Sequence, residues 1–84
     1  MFEVIWRDSA LDELADAFVL ADMLKRHALE QAVLKLNAQL AAEPFDLGES
    51  RDGDDRVAFE KPCAINYWVD NLTRMVRVTH FRTY

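Results

Sequence analysis

Several features that mark common small proteins are missing from this chain. Its 84 residues hold one cysteine, Cys63, so an internal disulfide cannot form and a cysteine zinc cluster cannot be built. Cys63 borders a predicted strand and reads as a small apolar residue. Only two glycines and two prolines are present, against 51% apolar residues and nine aromatics, which excludes a flexible or low-complexity chain. No apolar run approaches the roughly 18 residues of a membrane span, and the N-terminus lacks a basic-then-apolar stretch, so the expected location is cytoplasmic. Positive charge is scarce: 10 Lys/Arg against 15 Asp/Glu give a net charge of −5. That balance argues against a protein that coats duplex nucleic acid. His27, His80 and Cys63 form no recognisable ligand set, so no metal and no other cofactor is expected.

What is present fits one domain spanning residues 1–84. A chain of this size buries only about 60% of the surface its unfolded form exposes, so each core contact carries weight. The charge is uneven. Residues 1–48 carry four bases and nine acids, whereas residues 49–84 carry six of each, with the bases gathered near the end. After Leu72 the sequence holds Arg74, Arg77, His80 and Arg82 and no carboxylate side chain. This leaves room for one local anion site.

The periodicities predict an α+β domain in the order β-α-α-β-β-β. Phe2, Val4 and Trp6 alternate along an opening strand. Asp8 and Ser9 follow as helix-cap candidates, and Leu11, Leu14, Phe18 and Ala21 recur at helical spacing, predicting a helix over 9–21. Asp12, Glu13 and Asp16 fall on its wet face. The phase slips around residues 22–27, where Lys25-Arg26-His27 marks a solvated corner. A second helix then runs over 25–42 with Leu29, Val33, Leu36 and Leu40 as its buried stripe, widened by Leu34 and Ala41, until Pro44 stops it. Residues 45–55 contain Gly48 and Gly53 among acids and read as loop. The run Asp52-Gly-Asp-Asp lacks the spacing and closing glutamate of a calcium loop.

Val57–Phe59 is a short predicted strand. Two longer runs follow, separated by a polar break at 70–73: a β-hairpin. Ile65, Tyr67 and Val69 share one face, and Val76 and Val78 alternate with Arg77 and Thr79. Two antiparallel helices on one face of a mainly antiparallel four-stranded sheet would bury every stripe. The C-terminal bases then lie either on an ordinary wet strand face or in a functional cluster.

In order along nearly the whole chain, these pieces resemble the RelE/ParE superfamily of bacterial toxins. The resemblance rests on Val4-Ile-Trp followed by Ser9-Ala-Leu-Asp-Glu-Leu-Ala, and on Leu40-Ala-Ala-Glu-Pro44. It continues through Leu47-Gly-Glu-Ser-Arg51, Ile65-Asn-Tyr67-Trp-Val69 and Val76-Arg-Val78-Thr-His-Phe-Arg82. It implies an antitoxin partner, and a target that is either ribosome-bound mRNA, which some members cut, or DNA gyrase, which others poison without cutting. Cutting needs a base for the RNA 2′-hydroxyl, a cation for the phosphate oxygens and an acid for the leaving oxygen. The resemblance places Arg82 at the family arginine ending the last strand and Tyr84 at the tyrosine that ends some cutting members. His80 and Arg56 complete the candidate catalytic set, with Arg51, Lys61 and Arg77 as RNA- or phosphate-binding residues. The chain departs from the cutting branch at Ala64 or Cys63, where an arginine is usual, and at Asp55 and Val57, near the usual lysine pair. Thr83 stands where some members have histidine. The alternative reading is a non-catalytic protein-binding module.

Overall fold

Val4 and Trp6 of the first strand, β1 (Glu3–Trp6), pack on the core together with Phe2 just before it. The computed structural model describes residues 1–50 and 53–84. After β1 come α1 (Asp8–Leu20), α2 (Met23–Ala42), α3 (Pro44–Leu47), β2 (Glu49–Ser50), β3 (Arg56–Glu60), β4 (Cys63–Asp70) and β5 (Met75–Thr83). The strands form one sheet in the order β1-β5-β4-β3-β2.

The α+β class and the helix-on-sheet layering agree with the sequence reading, but the sheet does not. It has five strands rather than four and is mixed rather than antiparallel, because β1 pairs in parallel with β5. Parallel neighbours need a long crossover, and everything from α1 to β4 supplies it. The extra strand, β2, lies inside the stretch expected to be loop and pairs antiparallel with β3 through Glu49 and Ser50. Two residues are too few to show an alternation.

The helices also shift. Asp22, not a loop residue, caps α2 by accepting the Lys25 N–H at 2.8 Å, so the helix starts at Met23 and the link shrinks to Ala21–Asp22. Leu29, Leu36 and Leu40 are buried as expected, joined by Ala32, while Leu34 stays 63% exposed. In α1 the expected core residue Leu11 is 46% exposed and Ala10 is fully buried. This helix lies against β5, and the small residue marks the close approach. Pro44 does end α2, yet it also opens α3 as its first residue, where a missing N–H costs nothing.

Three side chains of the sheet fasten it to the layer of helices and their flanking loop. Trp6 Nε1 donates to Asn37 Oδ1 at 2.8 Å, and the buried Tyr67 hydroxyl donates to Pro44 O at 2.8 Å. Arg56 Nη2 donates to Phe45 O and Gly48 O at 2.7 and 2.9 Å. Gly48 sits where this layer is tightest: a Cβ there would meet Val57 O and come within 2.7 Å of the Tyr67 hydroxyl. Cys63 is buried at the start of β4, and desolvation, with Glu60 adding to it, pushes its thiol up to about 11, leaving it unreactive.

The β4–β5 hairpin turns through residues 71–74. Asp70 Oδ1 accepts the Leu72 and Thr73 N–H groups at 3.0 and 3.3 Å. The Thr73 backbone bond, with the Thr73 hydroxyl next, holds the Asp70 carboxyl below its ordinary range. Between Asn66 and Tyr67 the pairing slips by one: Asn66 faces His80, but Tyr67 faces Val78. Thr79 is the extra residue. The slip carries Phe81 to the helical side beside Val76 and Val78, in the core with Leu29, Leu36 and Ile65.

Leu36→Ala is expected to cost about 2–5 kcal/mol in urea unfolding, because its side chain is fully enclosed between α2 and the sheet. An unchanged midpoint would contradict this placement of α2.

Candidate functional site

With both long helices on one side, the strand alternation turns a second set of residues to the uncovered side. These are Val57 and Phe59 on β3, Ala64, Asn66 and Trp68 on β4, and Arg77, His80 and Arg82 on β5. The face has two chemically different ends. At one, Arg77 lies over the Trp68 ring at 5.4 Å, and a hollow of about 350 Å³ beside Trp68 is lined by Asp54 and Asp55. That end carries acid. At the other, Phe59, Ala64 and Arg82 stand side by side across three strands.

Arg82 is the centre of this second end. Ala64, directly opposite, has no bulk to resist it, and Nη1 reaches diagonally to Asn66 Oδ1 at 2.9 Å. Among the described residues Arg82 makes no ion pair. A neutral amide therefore orients the guanidinium without cancelling its charge, and the other N–H donors remain toward solvent. Tyr84 follows, its N–H bonded to Pro62 O at 3.0 Å and its ring edge-to-face with Phe59 at 5.8 Å. Phe59 is 50% and Tyr84 58% exposed. The result is an arginine fork beside two accessible aromatic rings, chemistry suited to a phosphate and an adjoining base.

The structure brings Arg82, His80 and Tyr84 to one region and separates the others from it. His80 Nδ1 lies 3.3 Å from Glu13 Oε1 of α1, a contact absent from the sequence reading. Arg56 corrects that reading: its register partner is Tyr67, so it shares the helical side, and its guanidinium is spent on the Phe45 and Gly48 carbonyls. It does not converge with Arg82. Lys61 is exposed in the β3–β4 turn, edging a hollow it shares with Lys35 and Glu60 of the helix-side ion pair at 3.4 Å. Arg77 belongs to the Trp68 end, and Arg51 lies outside the described residues. Asn66 and Glu13 were given no role from sequence. Only the pairing register singles out the first, and nothing local signals the second. Among the described residues no group of three His, Cys, Asp or Glu side chains could hold a metal, and no helix is long and apolar enough to cross a membrane.

This architecture is that of the RelE/ParE toxins. The toxin–antitoxin complex RelBE2 from Mycobacterium tuberculosis contains a chain that superposes with a TM-score of 0.78 at 18% identity, covering 99% of this chain and 98% of that one. The chromosomal ParDE toxin–antitoxin system of P. aeruginosa gives 0.72 at 16% identity, with 99% and 96% covered. The YoeB/ParE toxin from Agrobacterium tumefaciens gives 0.69 at 17% identity, with 99% of each chain covered. No family model and no curated relative matches the sequence. At these identities the likeness establishes the fold.

Because Arg56 closes α3 onto β3, Arg56→Ala is expected to cost about 1–3 kcal/mol by leaving two carbonyls unpaired. Arg82→Ala, on the exposed face, is expected to stay within about 0.5 kcal/mol of the unaltered chain. Urea unfolding of both variants checks this, and equal losses would contradict the division of roles.

Proposed function

We propose that the chain is the toxin member of a RelE/ParE-type toxin–antitoxin pair and that it acts on RNA through the Arg82 end of the open sheet face. The observation that carries this reading is the Arg82–Asn66 bond, which fixes an arginine fork in the open and leaves its charge available for phosphate. In an RNA-cutting reaction Arg82 balances charge growing on the phosphate oxygens. His80 takes the 2′-hydroxyl proton and Tyr84 gives one to the leaving oxygen. The antitoxin has apolar surface to cover: Val19, Leu20, Met23 and Leu24 stand strongly exposed where α1 meets α2.

A second reading, poisoning by binding alone, is favoured by Ala64 at the place of the cutting arginine and by Arg56 being tied to α3. One described fork then faces the phosphate where the cutting chemistry is better served by two.

Incubation of the purified chain with ribosomes and mRNA tests the first reading. Cleavage is expected, lowered about 100-fold or more by Arg82→Ala with the melting temperature unchanged. Growth arrest without any cut RNA would favour the binding reading. Normal growth with intact protein expressed without a partner would contradict both.

A further inference from the structure

We propose that Glu13 is a positioning residue for His80, holding the proton on Nδ1 and leaving Nε2 as a proton acceptor near Arg82. Glu13 comes from α1, outside the strands that carry the C-terminal bases. Its Oε1 lies 3.3 Å from His80 Nδ1, and the same oxygen accepts the Phe81 backbone N–H at 3.3 Å. A carboxylate accepts and does not donate, so Nδ1 must carry the proton. In the neutral ring the lone pair is then on Nε2. Free histidine in water prefers the opposite tautomer, so α1 imposes the choice.

The arrangement is built rather than incidental. Arg7 N–H donates to Val78 O at 2.9 Å and Ser9 Oγ donates to Thr79 O at 2.9 Å, seating the first turn of α1 on β5. Ser9 and Glu13 are four residues apart on one helix face, so both side chains meet β5, each through its own bond. The register slip at Thr79 fixes the strand side of the contact: the Phe81 N–H meets α1, and His80 and Arg82 both fall on the open face. The His80 side chain is 63% exposed, so the ring is accessible to a ligand.

The catalytic consequence rests on the RNA reading given above. Nε2 takes the 2′-hydroxyl proton as the O2′–P bond forms and the P–O5′ bond breaks. O5′ takes a proton from the Tyr84 hydroxyl; His80 then releases its added proton to water and Tyr84 regains one from it. Glu13 touches no reacting atom.

Long-range ¹H–¹⁵N NMR of the intact chain, at a pH where the imidazole is neutral, reads the tautomer without any nucleic acid. The unaltered chain should show His80 protonated on Nδ1. Glu13→Ala should move the population toward Nε2–H, whereas Glu13→Gln, whose carbonyl still accepts, should keep it. Ser9→Ala loosens the same helix without touching the carboxylate and should leave the tautomer in place. An Nε2–H ring in the unaltered chain, no change in Glu13→Ala, or an equal change in Ser9→Ala would overturn the proposal. In RNA cleavage, Glu13→Ala should lower kcat about tenfold or more with KM unchanged. Failure of the unaltered chain to cut RNA would count against the proposed function, while the tautomer still decides the positioning role.

Discussion

Strand β5 has to be paired along both edges, and that requirement shapes the molecule. Its nine residues meet β4 on one side for their whole length, but β1 covers only Met75–Val78 on the other. Beyond Val78 the edge would offer bare polar groups, an invitation to pair with another chain. Helix α1 fills that gap with side chains instead of backbone: Ser9 takes the Thr79 carbonyl and Glu13 takes the Phe81 N–H. A helix used this way sits close, which is why Ala10 and not Leu11 faces the core.

The open face follows from the same constraint. With α1 and α2 on one side of the sheet and α1 also reaching the β5 edge, the opposite side keeps no helical cover, and Arg77, His80 and Arg82 stand on it. What each base does then depends on its neighbour. Arg82 meets an amide and remains charged toward solvent, Arg77 meets an indole, and Arg56, turned to the other side, meets two carbonyls. Three arginines of one sheet, two on β5 and one on β3, thus have three different uses, two of them structural. A proton-handling role for His80 in turn requires the helix that guards the strand edge.

Much of this was legible in the sequence where a repeating pattern ran long enough to average out exceptions. Ile65, Tyr67 and Val69, or Leu29, Leu36 and Leu40, declare a strand face and a helix stripe because several residues agree. The parallel pairing of β1 left no local trace, since strand direction is decided by partners seventy residues away. Ser50 and Glu49 are too short a strand to alternate. The slip at Thr79 changes which side Phe81 takes, and no propensity encodes a single unpaired residue. For the site, the gathering of His80 and Arg82 near the end was visible as composition, and Tyr84 entered only through the family resemblance. The loss of Arg56 from the site was not visible, because a guanidinium gives no sign in sequence of whether it will meet a phosphate or a carbonyl. Glu13 looked like one more acid on a wet helix face, and its partner lies sixty-eight residues on.

Native-state hydrogen exchange at Phe81 tests the central claim most directly, that α1 completes the β5 edge through Glu13. The account predicts a Phe81 amide that exchanges slowly in the unaltered chain and much faster in Glu13→Ala, with Val76 and Val78 protected in both. A Phe81 amide that exchanges freely in the unaltered chain, or is equally protected without the Glu13 carboxylate, would contradict it.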